Sequence, residues 1–210
     1  MTPAQTQLAA RIRTLNVSDG ELLGHSNQGE VRRFVVDGQV LAIKSPKGRG
    51  LAWTFRQATL AHEYLAYQRL AGLTGFPSCH GLVDRRWLLL DFVPGQPFRD
   101  ARLPDHEHFF DQLLATIRAM HERGVAHGDL KRKDNLLVAE DGEPLILDLG
   151  AATLLKTGWH PLNRRLFDFI RQTDLNAWVK LKYGGYQGVS EKDAALLKRS
   201  GLERLLARMR

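Results

Sequence analysis

Leu8, Ile12 and Leu15 recur at helical spacing behind Thr2-Pro3, a capping residue followed by one that suits the first helical turn. This predicts a first helix. After the Asp19-Gly20 turn the period changes to two, which predicts strands over 21–25, 30–36 and 39–44. Asp37-Gly38 joins the last two as a two-residue hairpin signal, and 46–50 reads as a loop. Leu60, Tyr64, Tyr67 and Leu70 then predict a helix over 55–70 that stops before Gly72. Short strands are expected at 80–83 and 86–93. Pro94-Gly95-Gln96-Pro97 breaks the pattern.

Beyond that breaker, Phe109, Phe110, Leu113, Leu114, Ile117 and Met120 line one face of a predicted helix over 105–123, with Gly124 as its stop. Residues 125–130 read as a loop, and short strands are expected at 136–138 and 144–147. Helices follow at 163–171, 174–183 and 190–208, with Tyr183-Gly184-Gly185-Tyr186 separating the last two. Ser190 with Asp193, and Ser200 with Glu203, have the spacing of capping boxes. The expected class is α+β: a small antiparallel sheet with one main helix over 1–94, then a mostly helical lobe over 95–210. Ligands often bind between two such units.

Composition excludes some classes. The chain has 210 residues, 43% hydrophobic and 25% charged, which fits a globular protein and neither a disordered nor a fibrous one. Apolar runs such as Trp87-Leu88-Leu89-Leu90, none of them longer, are far short of a membrane span, and residues 1–15 lack the apolar stretch of a secretory signal. A single cysteine, Cys79, fits a reducing compartment, so a cytoplasmic location is expected. The net charge of +7 is uneven: residues 156–210 carry 12 basic and 5 acidic side chains, while residues 1–155 are neutral. Such an end is either a solvated surface or an attractor of anionic acceptors and membrane.

Three segments carry candidate chemistry. His127-Gly128-Asp129 leads to Asn135, and Asp148-Leu149-Gly150 begins thirteen residues after Asn135, at the end of an apolar strand. Carboxylate and amide oxygens so placed suit Mg²⁺ on phosphates, although each segment alone also reads as a capped turn. Lys44, flanked by Ala42 and Ile43, is costly to bury without an anion, and Glu63 in the next helix is the natural partner. Gly24-His25-Ser26-Asn27-Gln28-Gly29-Glu30-Val31 could bring backbone N–H groups to phosphate, or be an ordinary hairpin loop. It is not a Walker A loop, since no Gly-Lys-Ser/Thr follows.

The order of these segments resembles that of the protein-kinase-like superfamily, over Gly24 to Gly150, about 60% of the chain. The resemblance implies a bilobal fold using ATP and Mg²⁺. Lys44 would contact the phosphates and pair with Glu63. Asp129 would accept or position the proton of the attacking hydroxyl, and Lys131 would assist the γ-phosphate. Asn135 and Asp148 would hold Mg²⁺. Gly24, Ser26, Asn27, Gly29 and Val31 would lie over the nucleotide with Ala42, and Leu90, Asp91 and Val93 would belong to the hinge beside adenine. His127 would support the loop without moving protons.

Departures narrow the resemblance. Five residues separate Asp129 from Asn135 where the family motif has four, so either Asn135 follows a bulge or Asp134 takes the metal. Gly128 replaces the usual Arg, and no Ala-Pro-Glu-like segment follows Gly150, so activation by loop phosphorylation is not expected. These traits resemble the compact RIO-type and bacterial lipopolysaccharide-kinase group (Kdo-kinase, WaaP and InaA-like proteins). Aminoglycoside and choline phosphotransferases share His-Gly-Asp but usually have a larger second lobe. The expected acceptor is a protein Ser/Thr or an anionic saccharide hydroxyl. Lys47, Arg49, Lys131, Arg132 and Lys133 would meet an anionic acceptor, and the basic end would touch an anionic inner-membrane surface.

A pseudokinase, binding nucleotide without phosphotransfer, is the competing expectation. No nucleic-acid-binding signature is present. Trp53, Trp87, Trp159 and Trp178 are expected in the core, and His121 and His160 in structural roles.

Overall fold

The computed structural model describes residues 3–15, 19–25 and 29–198, in two units: residues 1–94 with 148–151, and residues 95–147 with 152–210. In the first unit, α1 (Pro3–Thr14) precedes β1 (Glu21–His25), β2 (Gly29–Val36) and β3 (Gln39–Pro46). Then come α2 (Gly50–Arg69), β4 (Cys79–Val83) and β5 (Trp87–Asp91). The strands form one antiparallel sheet in the order β1-β2-β3-β5-β4.

Alternation decides the faces of this sheet. Phe34, Val36, Leu41, Ile43, Val83, Trp87 and Leu89 form one core with Ala9 and Ile12 of α1. Lys44 lies between Ile43 and Ser45 and so takes the opposite face, in register with Val31 and Leu88. Asp37 and Gly38 turn the β2–β3 hairpin at φ 50° and 82°, the left-handed pair of a type I′ turn.

Helix α2 buries Leu60, Glu63, Ala66 and Tyr67. It starts at Gly50, five residues earlier than the periodicity predicts, because Leu51 and Phe55 face solvent and add nothing to the apolar stripe. Cys79 opens β4, and burial pushes its thiol up to about 11. Iodoacetamide should therefore modify Cys79 roughly 100-fold more slowly at pH 8 than it modifies a free thiol. Alkylation at the free-thiol rate would show that this burial is lost in solution.

The second unit begins with β6 (Gly95–Pro97), then α3 (His106–Glu122), β7 (Val125–Ala126), β8 (Leu136–Ala139), β9 (Pro144–Ile146) and β10 (Thr153–Leu154). Helices α4 (Pro161–Tyr183) and α5 (Glu191–Ala194) complete it. β6, β8 and β9 make a three-stranded sheet, and β7 pairs with β10. The expected breaker at 94–97 is thus partly a strand: a Cβ on Gly95 would lie 2.4 Å from the Val138 carbonyl, so only glycine allows this pairing. The expected loop at 125–130 likewise starts with a paired strand.

Asp105 caps α3 by accepting from the His108 N–H at 3.0 Å. Phe98, Phe109, Phe110 and Trp178 form an aromatic cluster, and Trp178 Nε1 donates to the Phe110 carbonyl at 2.8 Å. The two helices expected at 163–171 and 174–183 are one, α4. Gln172 does not break it; its amide donates to Asn176 at 3.0 Å and to the Leu196 carbonyl at 2.8 Å.

Of the helix expected over 190–208, the described residues, which end at 198, contain α5, capped by Ser190, which accepts from the Asp193 N–H at 3.2 Å. The Ser200–Glu203 capping box and the proposed Thr2 cap lie outside the described residues. Trp87 and Trp178 are buried and Trp53 is half-buried, but Trp159 is 89% exposed and is not a core anchor. His160 is exposed at the N-terminus of α4, with no side-chain cap bond.

Candidate active site

The first unit holds one buried charge cluster. Lys44 Nζ lies 2.7 Å from Glu63 Oε2 and 2.6 Å from Asp148 Oδ1. β3 supplies the lysine, α2 the glutamate, and the turn at 148–151 the aspartate. Lys44 is 5% exposed and Glu63 1%. Burial alone would lower the Lys44 pKa, but the two carboxylates hold it above the usual lysine value. Burial, with the charge of Asp148, holds Glu63 above the usual carboxylate value even though Lys44 opposes it. Two carboxylates share one ammonium, so the cluster carries an unbalanced negative charge that favours a further cation.

Asp148 stands at φ 57°, in the left-handed region, and its Oδ1 accepts from the Gly150 N–H at 3.4 Å. Tyr67 is buried beside this turn, and burial pushes its phenol well above the ordinary tyrosine value, with the charges of Glu63 and Asp148 adding to the shift.

Other predicted positions in this unit fall into place differently. Val31 and Ala42 share the Lys44 face, and Gly24 and Val93 are half-buried. A Cβ on Gly29 would lie 2.0 Å from the Ser45 carbonyl, so the strand can start there only with glycine. The Asp91 carboxylate pairs with His80 at 2.6 Å and accepts from Gln39 at 3.3 Å, so it braces the sheet edge. Lys47 pairs with Glu30 at 3.1 Å, which leaves it less available to an acceptor than expected. Ser26 and Asn27 lie outside the described residues.

The second unit holds the His127–Asn135 loop, and a buried aspartate fixes its start. Asp174, fully buried on α4, accepts from the His127 N–H at 2.7 Å, the Gly128 N–H at 2.8 Å and His121 Nε2 at 3.0 Å. Gly128 adopts φ 80°, which suits glycine. His127 Nε2 bonds the Leu147 carbonyl at 2.9 Å, so that nitrogen carries the proton, and Nδ1 accepts from the Asp129 N–H at 3.2 Å. His127 is therefore occupied as a support.

Two turns absorb the extra residue of the Asp129–Asn135 spacing. Arg132 N–H bonds the Asp129 carbonyl at 3.2 Å, and Asn135 N–H bonds the Arg132 carbonyl at 3.0 Å. Asn135 is buried, and its Nδ2 donates to the Asp129 carbonyl at 3.0 Å. Asp134 is exposed and pairs with Arg99 at 2.6 Å. Lys131, Arg132 and Lys133 are exposed, and the Arg132 guanidinium is 3.9 Å from the Asp129 carboxylate.

Sequence reasoning missed Asp174, Tyr67 and Arg99. A charged residue inside the apolar stripe that runs from Phe167 to Trp178 was the readable sign of Asp174. Among the described residues, no group of three or more His, Cys, Asp or Glu could hold a metal ion by itself. A cation here would need oxygens from another source, such as phosphate.

Residues 17–167 match the family model described as protein kinase domain. The chain is 42% identical over 148 residues to the serine/threonine-protein kinase grp of Drosophila melanogaster, covering 65% of this chain and 28% of that protein. It is 45% identical over 151 residues to CBL-interacting protein kinase 25 of Oryza sativa subsp. japonica, covering 64% and 29%. It is 38% identical over 76 residues to the serine/threonine-protein kinase chk1 of Schizosaccharomyces pombe, covering 33% and 15%. The chain thus spans less than a third of the length of each of these relatives.

Proposed function

This chain belongs to the protein kinase domain family, and on that footing we propose that it transfers the γ-phosphate of ATP to a serine or threonine hydroxyl of a protein, as a compact RIO-like kinase. The observation that carries the reading is Lys44, buried and held between Glu63 and Asp148. An ammonium kept charged and oriented in this way suits phosphate oxygens. The names of the relatives as serine/threonine-protein kinases support the acceptor class.

Asp148 and Asn135 fit Mg²⁺ as hard oxygen donors and would hold it; when bound, the ion would neutralise charge on the phosphates. Asn135 is the better candidate in its loop, since Asp134 is engaged by Arg99. Asp129 would receive or position the hydroxyl proton, and His127 and Asp174 would keep its loop in place. In this reading catalysis is positioning plus charge stabilisation.

A second acceptor class, an anionic saccharide such as a lipopolysaccharide core sugar, is favoured by exposed Lys131, Arg132 and Lys133. Exposed Arg164 and Arg165 suit an anionic acceptor or leaflet, whereas Arg199, Arg204 and Arg208 lie outside the described residues. Among the described residues no helix is long and apolar enough to cross a membrane.

The test is to incubate the protein with γ-labelled ATP and Mg²⁺, in parallel with a generic basic protein, lipopolysaccharide core and a cell lysate. Label is expected in the protein acceptors, and it should be lost in Asp129→Ala. Label in the saccharide fraction would move the assignment to the second acceptor. Nucleotide-dependent thermal shifts without transfer to any fraction would make the protein a pseudokinase.

A further inference from the structure

Arg132 is fixed at its root and open at its tip. Its N–H donates to the Asp129 carbonyl at 3.2 Å, and its own carbonyl accepts from the Asn135 N–H at 3.0 Å, so the backbone is tied on both sides. The side chain returns across the first of these turns and brings one guanidinium nitrogen to 3.9 Å from Asp129 Oδ2. At that distance the contact is an ion pair and not a hydrogen bond. The side chain is 57% exposed, and its guanidinium makes no hydrogen bond to another described residue.

The neighbouring charges are committed elsewhere. Arg99 lies 2.6 Å from Asp134, which removes the other acid of the loop as a partner for Arg132. Lys133 Nζ sits over the Phe98 ring at 5.9 Å. Lys131 is assigned to the γ-phosphate in the proposed reaction. Arg132 is thus the base beside Asp129 with its planar fork of donors unused, and such a fork matches the paired oxygens of a carboxylate.

We propose that Arg132 is a specificity-determining residue: it binds an acidic side chain of the protein acceptor, one or two residues from the serine or threonine that faces Asp129. The inference rests on the proposed reading of the chain as a protein kinase with Asp129 at the acceptor hydroxyl. Hydrogen bonds at both ends of the 3.9 Å contact put the hydroxyl and the acid within about 9 Å of each other. An extended peptide covers about 3.5 Å per residue, which leaves room for two residues and not three. A basic neighbour in the same place would meet like charge. The extra residue between Asp129 and Asn135 therefore does more than lengthen the loop, since the first of the two turns that absorb it returns Arg132 to Asp129.

The test gives the 210-residue chain ATP and Mg²⁺ with a dephosphorylated mixture of proteome-derived peptides, and reads the phosphorylated sites by mass spectrometry. Lipopolysaccharide core is incubated in parallel with γ-labelled ATP. The sites should carry Asp or Glu within two residues of the phosphorylated Ser or Thr. In a matched pair of peptides built on one such site, Asn in place of the acid should raise KM about tenfold, the worth of a charge-assisted hydrogen bond. Arg132→Ala should bring the two KM values together, Arg132→Lys should keep part of the difference, and Arg132→Glu should favour a Lys neighbour. If Arg132 only shapes the loop, its variants will change kcat for both peptides and leave their KM ratio intact, which overturns the proposal. A wild-type site set with no preference for acids overturns it too, while the protein-kinase reading stands. Label in the lipopolysaccharide core alone, or in neither fraction, removes the protein-acceptor reading and this inference with it.

Discussion

Replacing Asp174 by alanine should destabilise the protein by about 3–5 kcal/mol, the usual cost of removing one partner from a buried, hydrogen-bonded charge. Three donors lose their acceptor at once: the His127 N–H, the Gly128 N–H and His121 Nε2. Water does not replace the carboxylate at the two buried histidines, although Gly128 is only half-buried. Phosphotransfer should fall at least ~100-fold in the fraction that stays folded, since Asp129 follows directly on the two released amides.

Asp174→Asn should fall between alanine and wild type, because one end of its amide would point a donor at another donor. Urea unfolding reads the stability, and hydrogen exchange at His127 and Gly128 reads the loop. A loss below about 1 kcal/mol, with both amides still protected, would mean that Asp174 does not hold the loop.

Lys44→Met should be nearly as damaging, with a distinctive pH dependence. Methionine keeps the straight-chain packing but leaves Glu63 buried without its counter-ion. Burial already holds the Glu63 carboxyl above its ordinary value, and removing the ammonium raises it further. A carboxyl raised in the folded state is favourable below its unfolded pKa, near 4.3, and loses stability as pH rises towards the folded value. The variant should therefore be more stable at pH 5 than at pH 8.

In the wild type the Lys44 ammonium, raised by its two partners, contributes fully below the ordinary lysine pKa and loses that contribution only as pH rises through its folded value. Phosphotransfer by Lys44→Met should drop at least ~100-fold. Unfolding free energies measured from pH 5 to pH 8 check the first expectation. A stability difference from wild type that is flat across that range would contradict the buried, unpaired Glu63.

The two sites differ in how far the sequence disclosed them. Lys44 was legible because a lysine between apolar strand neighbours needs an anion, and Glu63 is the one carboxylate in the next helix. Asp174 was misread as the start of a helix, since an aspartate before an apolar run is also the mark of a cap. Its partners lie 46 and 47 residues away, so no local pattern could show that its carboxylate was already spoken for.

β6 was hidden for a different reason. A three-residue strand made of Gly, Gln and Pro has no strand propensity, and only its partner in β8 gives it that form. Trp159 shows the limit of composition: a large aromatic is usually buried, yet this one lies outside the helix whose stripe forms the core. Tyr67 was placed correctly on the buried face of α2, but periodicity reports a ring and says nothing of its hydroxyl.

The Asp37-Gly38 turn has a consequence for how this chain can vary. Eight cross-strand pairs are counted from it, from Val36 with Gln39 down to Gly29 with Pro46. Lys44 faces Glu63 only because of its place in that count. A slip of one residue would turn the lysine into the core of Phe34, Leu41 and Leu89 and bring Ile43 to the carboxylates. Between the turn and Lys44, the chain can therefore exchange side chains but cannot change in length by an odd number. A remote, exposed hairpin tip is thus the ruler against which the lysine is placed.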